Sequence, residues 1–333
     1  MAGGIGRPIH RPEHTMILLA VTLSHAAIAA PADGKIVNGV EESDHPAVVS
    51  LGADFGSQRF SLCSGSIITT RIILTAAHCG EDIPPDLVAS AGRAFTGDDI
   101  RNAEHVLSLS GMVLHPDYVP LETGPPSVVP EYDIAVVILA EDSPVLPIPI
   151  HLDEVTESDL GREMLSVGYG ASSGSGNGSG TKRSAVLLLD DYDDQFPYTD
   201  ATENPGGGNI CSGDSGGPQM LLNDEGEWEQ WAVHSWGLSG CRGRSASART
   251  DIAADWLLEQ VEAVHGTTDL CEARGVYGDG VCDASCDADP DCAEPPEADE
   301  EEEAKGGCSA APATAAWGPL LLALGLLSRR RRR

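Results

Sequence analysis

The sequence predicts an all-β protein. Aromatic residues make up only 5% of the 333-residue chain, while Gly (38) and Pro (22) are abundant, which favours turns over helical packing. Short apolar runs recur between turn signals at 47–51, 66–74, 134–139, 164–167, 185–189 and 231–236. The nine cysteines allow four pairs and one left over, which points to a secreted, disulfide-bearing chain.

Taken from the amino terminus, residues 1–29 form an expected signal peptide. Arg7 and Arg11 precede an apolar run over 16–30, and Ala27-Ile28-Ala29 offers the small-residue cleavage site. A short segment, 30–35, then leads into a main domain over 36–266. Within it, 171–181 is nearly all Gly and Ser and is expected to be a mobile surface loop. One closing helix is expected. Thr250 or Asp251 is placed to cap it, Ile252, Trp256 and Val261 share a face, and Gly266 ends it.

A small cysteine-rich block follows at 271–292. Its Cys271, Cys282, Cys286 and Cys292 interleave with Asp279, Asp283, Asp287, Asp289 and Asp291. The stretch 293–307 is acidic, with seven acids and two prolines over 293–305, and is expected to be an extended linker. The tail 308–333 begins at the odd Cys308, is apolar over about 310–327, and ends in Arg329 to Arg333. Roughly 18 apolar residues rise about 27 Å as a helix, enough to span a bilayer with the arginines on the cytoplasmic side.

The formal net charge of −32, from 52 acids against 20 bases, sets such a surface against nucleic acid. Solubility and ion tolerance account for it; attraction of basic substrates is the alternative.

Three motifs carry chemistry. Leu74-Thr75-Ala76-Ala77-His78-Cys79 supplies a histidine, whose pKa near neutrality suits a general base. Tyr132-Asp133-Ile134-Ala135-Val136-Val137 places one acid before an apolar strand, so the carboxylate needs a buried partner such as an imidazole N–H. Gly213-Asp214-Ser215-Gly216-Gly217-Pro218 surrounds a serine with glycines. These permit a tight turn and leave the Gly213 and Ser215 amides able to face an oxyanion.

In the order His, Asp, Ser, these motifs resemble the trypsin/chymotrypsin family of serine proteases over about residues 36–265. The resemblance implies two six-stranded antiparallel β-barrels with a C-terminal helix, and a triad of His78, Asp133 and Ser215. It implies an endopeptidase acting through an acyl-enzyme, a monomer needing no cofactor for catalysis, with protein or peptide substrates. Lys35 followed by Ile36-Val37-Asn38-Gly39 is similar to the family's activation site, where the new Ile36 ammonium would pair with Asp214. Disulfides Cys63–Cys79 and Cys211–Cys241 are implied in the same way. So are a substrate-pairing strand at Ser235-Trp236-Gly237 and support of Asp133 by the Ser235 hydroxyl.

The pattern departs at the pocket floor, where Asn209 stands in place of the trypsin-like aspartate. Basic specificity there is not expected, and a medium polar or apolar side chain is favoured. Ser247 is expected where a glycine commonly keeps the pocket open. Gly168-Tyr169-Gly170 replaces the common Gly-Trp-Gly. The block 271–292 resembles small calcium-binding Notch-type repeats; disulfides with solvated acids and no metal are the alternative. The tail resembles the Gly-Cys sorting signal of myxobacterial surface proteins, with Cys308 as anchor and a plain transmembrane anchor as the alternative. Either would hold the protein at the bacterial cell surface. The functional alternative to an active peptidase is a surface-displayed homologue that binds with little or no catalysis.

Overall fold

The computed structural model describes residues 36–292, apart from 57, 82, 122–128, 175–177 and 224–225. The expected signal peptide, Lys35, the acidic linker and the tail with Cys308 lie outside the described residues.

A short strand β1 (Val40–Glu41) leads into a closed six-stranded barrel. Its members are β2 (Val48–Asp54), β3 (Arg59–Ile67), β4 (Ile72–Thr75), β5 (Gly92–Phe95), β6 (Val106–Leu114) and β7 (Ala135–Leu139). They pair in the order β2-β3-β4-β7-β6-β5, and β2 closes on β5. The second half is an antiparallel sheet. It comprises β8 (Glu163–Gly168), β9 (Arg183–Leu188), β10 (Asp191–Tyr192), β11 (Pro197–Asp200), β12 (Pro218–Leu222), β13 (Trp228–Gly237) and β14 (Arg244–Arg249), together with β1. The order is β1-β9-β8-β12-β13-β14-β11-β10. Here the family expectation of a second six-stranded unit meets eight strands, two of which, β1 and β10, are two residues long.

The expected run 66–74 is not one strand. Its ends belong to β3 and β4, and 68–71 form the hairpin between them. Ile68 and Ile72 are both buried, so apolarity runs through the turn. The Thr69 hydroxyl accepts the amide of Ile72 at 2.9 Å and bends the chain.

Val48, Ile67, Ile73, Phe95 and Leu139 fill the barrel and are fully buried. A second cluster joins Ile72, Leu74 and Ile134 of the barrel side to Phe196, Val233, Trp256, Leu257 and Val261 of the other half. The two halves therefore share a core, and the segments that carry the histidine and aspartate motifs lie along it.

Among the described residues there are three α-helices, two of which lie outside the sequence-based expectation. The first, α1 (Pro85–Ala91), follows β4. The expected closing helix is α2 (Ala254–His265), preceded by a 3-10 turn at Asp251–Ala253 and ended by Gly266 at φ 77°. Neither Thr250 nor Asp251 caps it. The Thr250 hydroxyl instead donates to the carbonyls of His151 and Trp231, and Asp251 binds the Arg249 guanidinium. The third, α3 (Leu270–Arg274), opens the cysteine-rich block and brings Ala273 into the shared core, where its carbonyl accepts the Thr70 amide at 3.0 Å. The block is thus continuous with the main domain.

Four disulfides are present: Cys63–Cys79, Cys211–Cys241, Cys271–Cys286 and Cys282–Cys292. They fit an oxidising, extracellular compartment. Among the described residues, no helix is long and apolar enough to cross a membrane.

Candidate active site

His78 lies on a 3-10 turn, Ala77–Cys79, directly after β4, and Asp133 lies two residues before β7. Because β4 and β7 pair side by side, with Thr75 opposite Ala135, residues 55 apart in sequence become neighbours. Asp133 is 1% exposed. Its Oδ1 accepts the His78 amide at 2.9 Å, and its Oδ2 accepts the His78 Nδ1–H at 2.8 Å and the Ser235 hydroxyl at 2.5 Å. Burial alone would raise the Asp133 pKa, but the His78 ring and the Ser235 hydroxyl outweigh it and hold the carboxyl below its usual range. For His78, burial favours the neutral ring, yet Asp133, and after it Glu81, raise its pKa above the ordinary value. Tyr132 is held at φ 47° beside the acid, with its amide on Gln195 Oε1 at 2.9 Å and its ring stacked on His115.

Ser215 sits on a tight turn that enters β12. Gly213 and Gly216 adopt φ 93° and 82°, a region that favours glycine. Gly216 is pressed against the histidine segment. A Cβ there would lie 2.4 Å from the Ser64 carbonyl oxygen and 3.0 Å from the Ala76 nitrogen. The Ser215 carbonyl accepts the Ser64 amide at 2.8 Å, and the Ser64 hydroxyl donates to the Gly213 carbonyl at 2.9 Å. The Ser215 turn is therefore fixed to β3 and to the residues just before His78.

Asp214 is fully buried and accepts the amides of Gly170 and Cys211, each at 2.8 Å. Burial pushes its carboxyl up to about 7 despite these bonds. The two glycines of Gly168-Tyr169-Gly170 make room for it, since a Cβ on Gly168 would lie 2.4 Å from Asp214 Oδ1. Ile36 is also fully buried, packed with Ala185, Leu187 and Ile210.

At the expected pocket floor, Asn209 is fully buried. Its Nδ2 donates to the Gly243 carbonyl at 3.0 Å, and its Oδ1 accepts the Ser245 hydroxyl at 2.7 Å. Ser245 also bonds Thr199 at 2.8 Å. The strand register pairs Gly237 with Ser245, whereas Ser247 pairs with His234 and bonds its ring at 3.2 Å. The side chain facing Gly237 is thus Ser245 and not Ser247, because the bulge between His234 and Trp236 shifts the register. Ser235 and Trp236 lie on β13 as its last residues before Gly237.

In the cysteine-rich block, the acids serve the backbone. Asp279 accepts the Val281 amide, Asp289 those of Asp283 and Asp291, and Asp291 that of Gly280. Asp283 binds the buried Arg274 guanidinium at 2.7 Å. Among the described residues, only Cys63, His78 and Cys79 bring three potential metal donors within 4.8 Å of one another, and both cysteines are in a disulfide. These carboxylates are thus engaged with the block's own amides and with Arg274.

Ser64, Ser245 and Glu81 shape this site without any sequence motif of their own, unlike Gly168 and Gly170. Only the glycines around Tyr169 left a visible trace.

A closed β-barrel and a second antiparallel sheet, meeting at a carboxylate-bound imidazole beside a glycine-flanked serine turn, define a serine peptidase domain. The family model described as Trypsin matches residues 36–257, and the chain belongs to that family. It is 28% identical to a trypsin of Saccharopolyspora erythraea, over 68% of this chain and 99% of that protein. It is 27% identical to ovochymase-2 of Mus musculus over 71% of this chain and 43% of that protein. It is 26% identical to coagulation factor XI of Bos taurus over 68% of this chain and 38% of that protein. The chain spans less than half the length of the two vertebrate relatives.

Proposed function

We propose that the protein is an endopeptidase in which Ser215 attacks the peptide carbonyl, His78 takes and returns the proton, and Asp133 holds His78. The observation that carries this is the grip of Asp133 on both the amide and the Nδ1–H of His78, with Ser235 behind it. That grip commits Nδ1, so Nε2 is the ring atom able to accept the Ser215 proton. As the serine oxygen bonds the carbonyl carbon, the amides of Gly213 and Ser215 stabilise the negative oxygen. His78 then gives its proton to the leaving amine, and water releases the acyl group by the same route in reverse.

The enzyme is secreted as a zymogen and activated by cleavage after Lys35. The state of Asp214 supports this. A fully buried carboxyl pushed up to about 7 is half protonated near neutrality. A new ammonium on Ile36 would bind it, keep it ionised and fix the turn that carries Gly213 and Ser215. The Val37 carbonyl already accepts the Asn209 amide at 3.1 Å, which ties the segment after the cleavage point to the pocket floor.

The closed Asn209–Ser245–Thr199 network favours a medium, uncharged side chain on the residue whose carbonyl is attacked. The acidic linker and the tail with Cys308 would display the domain at the cell surface.

The test is hydrolysis of a peptide library by protein cleaved after Lys35. Cleavage lost in Ser215→Ala is expected. Undiminished hydrolysis by that variant would refute the mechanism.

A further inference from the structure

A cavity of about 150 Å³ opens beside His78, lined by His78, Glu81, Tyr118, Leu121, Pro130 and Trp236, with Asp133 and Ser235 behind the His78 ring. Its Trp236 side belongs to the end of β13, the strand that would pair with the acyl portion of a bound peptide. The side chain entering it is therefore that of the residue immediately before the one whose carbonyl is attacked. The walls combine apolar Leu121, Pro130 and Trp236 with polar and charged side chains. The Glu81 carboxylate is held by a hydrogen bond from the Tyr118 hydroxyl, and its charge reaches the His78 ring.

This chemistry differs from that of the Asn209 pocket. There the floor is neutral and its hydrogen bonds are closed among Asn209, Ser245, Thr199 and Gly243. Beside His78, a cleft with apolar walls at Leu121, Pro130 and Trp236 carries the exposed Glu81 carboxylate at its rim. Lysine and arginine fit such a cleft, since their methylene stems lie along apolar and aromatic surfaces while the cationic head meets the carboxylate. A glutamate side chain would meet repulsion from Glu81, and the net charge of −32 would add to it at long range.

We propose that the enzyme selects a basic side chain at the residue preceding the scissile one, with Glu81 as the specificity-determining carboxylate and Tyr118 as the residue that positions it. Charge selection has moved one residue along the substrate from the neutral Asn209 pocket. This rests on the peptidase function proposed above.

The test uses full-length protein cleaved after Lys35 and peptides that share a scissile residue and a fluorogenic leaving group. They differ only at the preceding position, as Lys, Arg, Gln, Leu or Glu. The expected result is a kcat/KM about tenfold higher for Lys and Arg than for Gln, carried mainly in KM. In Glu81→Gln that ratio falls to near one, and in Tyr118→Phe it falls part of the way. An unchanged ratio in Glu81→Gln, or equal cleavage of Lys and Gln peptides by the parent, overturns the selection. Labelling of Ser215 by a sulfonyl fluoride reports the hydrolytic machinery separately. Labelling with equal cleavage removes the basic preference alone, whereas absence of both labelling and cleavage removes the peptidase function and this preference with it.

Discussion

His234 makes the stability of the domain depend on pH in a calculable way. Its side chain is fully buried on β13. Its Nδ1 bonds Ser247, its Nε2 has no hydrogen-bond partner, and desolvation lowers its pKa from 6.5 to about 3. Above pH 6.5 the ring is neutral in both folded and unfolded chains, and the full contribution to stability is present. As pH falls, the unfolded chain takes up the proton first, so stability is lost progressively until about pH 3. Between about pH 7.5 and about pH 4.5 this one group should remove about 3 kcal/mol. Asp214 acts in the opposite sense, because a carboxyl raised to about 7 is protonated first in the folded state. That contribution is common to parent and variant and cancels in their difference. The assay is urea unfolding at both pH values with disulfides intact, in a Ser215→Ala background that prevents self-digestion. On acidification the parent should lose about 3 kcal/mol more than His234→Leu. The same pH response in both proteins would refute the assignment of a neutral, buried ring. The location matters for activity as well, since His234 exchanges backbone bonds with Gly216 and Gly217 behind the nucleophile.

Gly216→Ala should lower kcat by about 100-fold or more while circular dichroism stays native, because the methyl meets the Ser64 carbonyl and the φ of 82° is strained. Ser235→Ala removes one of the three bonds to Asp133 and should lower kcat about tenfold with little change in KM, measured on a single peptide. Glu81→Gln removes a charge that favours the imidazolium of His78. The acid limb of the kcat/KM profile should therefore move to lower pH; a move upward would contradict the coupling. Ending the chain at residue 266 should lower the melting temperature by several degrees relative to a chain ending at 292, read by calorimetry at matched pH.

Much of the candidate site is legible in the sequence because it is written in short motifs around His78, Asp133 and Ser215. The barrel strand β7 is legible because its apolar residues form an unbroken run. By contrast β14 reads Arg-Ser-Ala-Ser-Ala-Arg and carries almost no apolar signal, yet five of its six residues are buried. Its inward serines are satisfied by Asn209 and His234, partners that only the folded chain supplies. Glu81 and Tyr118 are 37 residues apart and follow no pattern that links them. The run 66–74 shows the converse failure, where continuous hydrophobicity conceals a hairpin because both sides of the turn are buried.

The helix α3 inserts Ala273 among core residues beyond the point where the family match ends, at residue 257. What looks like an appendage packs into that core and adds to the stability of the folded domain. A reductant that opens Cys271–Cys286 would therefore act on the architecture of the peptidase itself, far from the reactive serine.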